Sequence, residues 1–149
     1  IFIIFIASCS SVQVTEESVR ESSIATVEVS TDDSYSTSNL AMSVSATVYF
    51  DFDKFNLTSR SIQALRGVVS TMSENTELTI VIEGHADDRG TREYNLALGQ
   101  RRAESVADYL ESNGINRTRL SIISYGEENP VDASSNEAAW SKNRRVEIK

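Results

Sequence analysis

Leu78-Thr79-Ile80-Val81-Ile82-Glu83-Gly84-His85-Ala86-Asp87-Asp88-Arg89-Gly90-Thr91 is the stretch whose reading decides the fold. Leu78 to Glu83 is a continuous β-branched run, the pattern of a central strand buried on both faces. From Gly84 to Gly90 two glycines bracket four polar side chains, so this loop presents charge instead of filling space. Downstream, Tyr94 to Asn113 has helical spacing and is stopped by Asn113-Gly114. A loop between such a strand and such a helix lies at the edge of an open α/β sheet where ligands tend to sit.

The same texture extends both ways. Val48 to Phe52 reads as a strand ending in Asp53 and Lys54. Ile62, Leu65, Val68, Val69 and Met72 follow helical spacing behind an N-cap at Thr58 or Ser59. Leu120 to Tyr125 reads as a third strand, Ala138 to Ser141 as a short helical turn, and Arg145 to Lys149 as a final strand. The predicted order is β-α-β-α-β-(short α)-β, an α/β (α+β) sandwich with helices packed on one sheet.

Composition narrows the function. The 149 residues carry a net charge of −8, which argues against general nucleic-acid binding, since phosphate contacts need clustered Lys and Arg. The 40% hydrophobic content suffices for one core and is too low for a polytopic membrane protein. A single Cys and a single His exclude an intrachain disulfide and a Cys-rich or multi-His metal centre within this sequence. No cofactor is indicated.

On a wheel of the second helix, Leu98, Gly99, Ala103, Val106, Ala107 and Leu110 form an apolar arc, with Arg102 on its border and Arg101 on the polar side. Arg102 is thus the partly desolvated arginine, and its guanidinium needs an anionic partner. That partner is an internal carboxylate, Asp87 or Asp51, or a ligand. His85 has a catalytic or metal-binding reading, but no nucleophile is placed beside it, and structural hydrogen bonding is the expectation. Trp140 and Tyr125 are expected to pack in the core or rim, and Asp51 to pair with Lys54 or face solvent.

The N-terminal third differs. Ile1 to Ile6 is an apolar run too short to span a bilayer, followed by Ala7-Ser8-Cys9. This resembles the end of a secretory signal with a bacterial lipobox, so residues 1–9 are read as a partial lipoprotein signal peptide with Cys9 as the acylated residue. Residues 10–46 contain 15 Ser or Thr, six acidic residues and one Arg, and are read as a disordered acidic tether, with a short β-prone piece from Ile24 to Val29. Residues 47–149 form the globular part.

That part resembles the OmpA-like peptidoglycan-binding domain family, and within it the lipoproteins of the Tol–Pal system. The resemblance rests on Tyr49-Phe50-Asp51-Phe52-Asp53-Lys54, Glu83 to Thr91, Glu93-Tyr94-Asn95, Leu98-Gly99, Arg101-Arg102-Ala103, Ser124-Tyr125-Gly126-Glu127 and Ser141 to Glu147, all in order. It implies a non-enzymatic protein, lipid-anchored in the outer membrane and facing the periplasm, that binds the peptidoglycan stem peptide; a wall-binding lipoprotein of the family without a Tol partner and a cell-wall hydrolase are the alternatives. In the family the ligand is meso-diaminopimelate. Asp87 would take its ammonium and Arg102 its carboxylate, with Phe50, Asp51, Ala86, Arg89 and Leu98 lining the pocket, and His85, Asn95 and Arg144 supporting it. The resemblance also implies the periplasmic β-propeller protein of the Tol system as a partner.

Overall fold

In a computed structural model, which describes residues 43–149, the β-branched run becomes an inner strand of a four-stranded mixed sheet. The elements are β1 (Ala46–Tyr49), α1 (Ser59–Glu74), β2 (Ile80–His85), α2 (Arg92–Ser112), a 3-10 turn (Arg117–Arg119), β3 (Leu120–Gly126), α3 (Glu137–Asn143) and β4 (Arg145–Ile148). The sheet order is β1-β4-β2-β3. β2 and β3 are parallel, joined through α2, and β4 runs antiparallel to both β1 and β2. Element order and class are as the sequence predicts. The readings of residues 1–42, including Cys9, the Ile24 to Val29 piece and most of the tether, lie outside the described residues.

β2 differs from its expected burial. Ile80 and Ile82 are buried, whereas Val81 and Glu83 are only half-buried. The main helices cover one face of the sheet, so successive side chains alternate between core and rim. On the opposite face Glu83 meets Lys149 at 2.6 Å and Arg145 meets Glu147 at 2.5 Å.

α1 contributes Leu65, Val68 and Met72 to the core, and α2 contributes Ala103, Val106, Ala107 and Leu110. The helices begin where their caps stand. Thr58 Oγ1 accepts the Ser61 N–H, and Thr91 Oγ1 accepts the Tyr94 N–H, so α2 starts two residues before the expected Tyr94.

β1 is displaced towards the N-terminus relative to the prediction. It pairs Ala46 with Ile148, and Val44 is already buried, so ordered packing begins ahead of Thr47. At the other end Phe50 N–H still bonds Arg144 C=O, but Asp51 to Lys54 form a tight turn with Asp53 at φ +55°. Aspartate tolerates that left-handed conformation better than most residues. Phe52 therefore belongs to a loop, not to the strand.

Gly84 and Gly99 set how closely α2 approaches the sheet. A Cβ on Gly84 would lie 1.9 Å from the Gly99 carbonyl oxygen, and one on Gly99 would lie 2.4 Å from Ser124 Oγ. Backbone rests on backbone here, and Arg102, about one turn further along α2, is brought over the loop that leaves β2. Among the described residues no helix is long and apolar enough to cross a membrane.

Candidate functional site

The β1–α1 turn, the β2–α2 loop and the first half of α2 enclose a cleft of about 230 Å³. Asp87, Arg89 and Gly90 come from the loop, and Asn95, Leu98 and Arg102 from α2. Phe52, Asp53 and Tyr94 complete the rim. A larger groove of about 560 Å³ runs between β1 and α1, but it lacks the Asp87 and Arg102 pair.

Arg102 is fully buried, more so than its border position on the wheel suggested. Its expected internal partner was a carboxylate. Instead its Nε donates to Lys54 C=O at 2.8 Å, Nη1 to His85 C=O at 2.8 Å and Nη2 to Asp51 C=O at 3.2 Å. The physical reason is the Asp51 to Lys54 turn, which aims two carbonyls at the guanidinium before any carboxylate can reach it. The Phe50 ring centroid lies 5.4 Å from its Cζ. Burial pulls the Arg102 pKa down to about 10, so it stays charged at neutral pH. Three of its five N–H groups are committed to carbonyls, which leaves two without a partner among the described residues.

Asp87 is 4% exposed. Burial alone would push its carboxyl up, but the hydrogen bonds from Arg89 and Arg144 outweigh it and hold the pKa below the ordinary value. Arg89 Nη2 lies 2.7 Å and Arg144 Nη1 3.2 Å from Asp87 Oδ2. Arg144 also donates to Phe50 C=O at 3.1 Å and to Glu137 at 2.6 Å, tying β1, the loop and α3 together. The Arg89 guanidinium lies over the rings of both Phe52 and Trp140, with Cζ 4.1 Å from each centroid.

Of the residues singled out in the sequence, Asp87, Arg89, Leu98 and Arg102 share the cleft. Asn95 lines it too, and its side-chain amide donates to Glu127. Phe50 packs against Arg102 from below, and Asp51 offers its carbonyl while its exposed carboxylate meets Lys54 at 3.2 Å. Ala86 is buried and bonds Gly126 C=O, outside the cleft. Arg144 lies behind Asp87.

His85 departs from its expected hydrogen bonding. Both ring nitrogens are buried without a partner among the described residues, and the ring stacks on Tyr125 with centroids 5.5 Å apart. Burial, and then the nearby Arg145, lower its pKa to about 4, so the ring is neutral. Its structural contribution is the carbonyl that accepts from Arg102. Trp140 packs at the rim as expected, on Arg89. Phe52, Asp53, Gly90 and Tyr94 were not singled out as site residues. The available signal was aromatic residues at a strand end and a helix start that belong to no core period. Tyr94 and Asp53 are hydrogen-bonded across the cleft mouth. Among the described residues no group of three or more His, Cys, Asp or Glu side chains is placed to hold a metal.

The arrangement offers a cationic floor and an anionic wall inside a small, partly apolar cleft. It suits a ligand that carries both a carboxylate and an ammonium.

Comparison with known proteins gives a consistent picture. The OmpA family profile matches residues 49–144. The peptidoglycan-associated lipoprotein of Pasteurella multocida is 46% identical over 100 residues, covering 67% of this chain and 67% of that protein. The protein of the same name from Pseudomonas aeruginosa is 42% identical over 109 residues, covering 73% of this chain and 64% of that protein. The chain thus matches about two thirds of the length of these relatives. Among solved structures, the peptidoglycan-associated lipoprotein of Burkholderia pseudomallei superimposes with a TM-score of 0.67 at 38% identity, over 68% of this chain and 86% of that one. The C-terminal domain of Helicobacter pylori MotB superimposes with a TM-score of 0.62 at 23% identity, over 70% and 82% of the two chains, a likeness of fold.

Proposed function

The chain belongs to the OmpA family, and on that premise we propose that it is an outer-membrane lipoprotein that binds peptidoglycan noncovalently through the Asp87 and Arg102 cleft. Cys9 carries the acyl anchor, the residues between it and the globular part bridge the gap, and the globular part grips the diaminopimelate of the stem peptide. The function is mechanical linkage of membrane to wall, with no reaction catalysed. The β-propeller component of the Tol system is the proposed protein partner, at a surface overlapping the wall site.

The observation that carries this proposal is the buried Arg102. Its guanidinium is charged, faces a cleft and has two N–H groups without a partner among the described residues, beside a carboxylate of opposite sign. In the proposed complex those N–H groups take the ligand carboxylate in a forked pair and Asp87 takes the ammonium. The names of the relatives above, peptidoglycan-associated lipoproteins at 42–46% identity, support the same ligand class.

Cosedimentation of the full chain with purified peptidoglycan tests the proposal. Asp87→Asn preserves the shape of the carboxylate, and Arg102→Lys keeps a charge that can still reach carbonyls. Each is expected to lose most of the pelleted fraction while circular dichroism remains unchanged. Undiminished pelleting by both folded variants contradicts the assignment. Release of soluble muropeptides during the incubation contradicts the non-enzymatic reading.

A further inference from the structure

Asp87 has no acceptor position left. Its Oδ1 takes the Arg89 backbone N–H at 3.2 Å and Arg89 Nε at 3.3 Å. Its Oδ2 takes Arg89 Nη2 at 2.7 Å and Arg144 Nη1 at 3.2 Å. An ionised carboxylate offers about four lone-pair sites, so the set is full. A ligand ammonium enters only if a donor leaves.

The two arginines are unequal candidates for leaving. The Arg144 side chain is 7% exposed and is also bonded to Phe50 C=O and Glu137. The Arg89 side chain is 31% exposed, and Glu137, 63% exposed, already lies 3.7 Å from its Nη2. If Arg89 slides from Asp87 towards Glu137, no charge is left unpaired, because the incoming ammonium replaces it. What holds Arg89 in place is its contact with the Phe52 and Trp140 rings, each with its centroid 4.1 Å from Cζ.

We propose that Arg89 is a built-in competitor for the cationic end of the ligand: a guanidinium clamped by Phe52 and Trp140 that occupies Asp87 in the free protein and yields it to a primary ammonium on binding. This step rests on the peptidoglycan-binding reading above. It changes the part that the family resemblance implies for Arg89, from a lining contact to a group that must move. Binding then has an exchange step, and the site favours ligands whose ammonium outcompetes a tethered guanidinium.

Trp140 is the only tryptophan in the sequence, so its emission reports the clamp directly. The full chain, Arg89→Gln and Trp140→Leu are each titrated calorimetrically with free meso-diaminopimelate, with circular dichroism to confirm folding. Emission is followed in the two proteins that keep Trp140. Arg89→Gln is expected to bind about threefold tighter, the factor that an ion pair of near-surface strength represents. Trp140→Leu, which keeps the guanidinium and removes one ring of the clamp, is expected to shift the same way by less. The unsubstituted protein is expected to change its Trp140 emission along the binding isotherm, and Arg89→Gln to change little. Equal or weaker binding by folded Arg89→Gln overturns the competitor and leaves the ligand reading standing. Failure of every protein to bind the probe overturns that reading, and the competitor with it.

Discussion

Arg144 and Asp87 form a buried ion pair, with Nη1 and Oδ2 3.2 Å apart and side chains 7% and 5% exposed. The pair joins the residue between α3 and β4 to the loop that leaves β2. Removing one member leaves the other charged and desolvated, which typically costs about 3–5 kcal/mol. Arg144→Met is therefore expected to lower stability by that order, since among the described residues Asp87 retains only the partly exposed Arg89. Chemical denaturation measures this. A loss under about 1 kcal/mol, the scale of an exposed pair, would contradict it.

The contact between Gly84 and Gly99 makes a second, sharper prediction. Gly84→Ala places a methyl 1.9 Å from a backbone oxygen, which no rotamer can relieve. The expected loss lies at or above the top of the about 1–3 kcal/mol range for overpacking. Gly67, in the exposed face of α1, has nothing among the described residues within 4 Å of the place a methyl would take, and Gly67→Ala is expected to stabilise by about 0.5–1 kcal/mol. Thermal melts of the two variants should move in opposite directions.

These positions show what the sequence made legible and what it did not. Periodicity placed both main helices and four strands because their apolar stripes are long and regular. It could not reveal the turn from Asp51 to Lys54, which depends on a left-handed Asp53 that no apolar pattern encodes. Placing Phe52 in a strand hid its place on the cleft rim. The wheel identified Arg102 as special among its neighbours, but burial made carbonyls, not carboxylates, its partners. The pairing of Asp87 with Arg144, 57 positions apart, is a tertiary relationship beyond any local pattern. His85 looked like a hydrogen-bonding residue because imidazole usually is one. Here ring stacking and desolvation prevail.

The buried His85 gives a pH dependence of definite sign. Its folded pKa, about 4, lies below the ordinary 6.5 because burial disfavours the charged ring. Between those values the unfolded chain binds more protons than the folded one, so stability falls as pH drops from about 6.5 towards 4. Asp87 and Glu147, whose folded pKa values are lowered, lose stability in the same direction at more acidic pH. His85→Phe keeps a ring against Tyr125 and removes the titration. Its stability profile is expected to be flatter from pH 6.5 to 4, and an unchanged slope would contradict the account.

The proposed anchor is tested separately from the cleft. Cys9→Ser, expressed in an outer-membrane-bearing bacterium behind a complete lipoprotein signal, is expected to leave the chain in the soluble periplasmic fraction. The unsubstituted chain is expected to sediment with membranes, because more than one acyl chain gives stable anchoring. Mass spectrometry of the mature N-terminus checks the modification itself. An unmodified Cys9 in the membrane-bound protein would contradict lipidation at that residue.

The most direct test of the central claim is a calorimetric titration of the full chain with a muropeptide containing meso-diaminopimelate, beside its lysine-containing counterpart. The two ligands differ by the carboxylate proposed to meet Arg102. A charge-assisted bond of this kind contributes about 1.5–3 kcal/mol, so the diaminopimelate form is expected to bind at least about tenfold tighter. Asp87→Asn should weaken both ligands alike, since both retain the ammonium. Equal affinity for the two muropeptides, or no binding by the folded protein, would contradict the assignment of Arg102 to the ligand and leave its role as the buried guanidinium that fastens the Asp51 to Lys54 turn to α2.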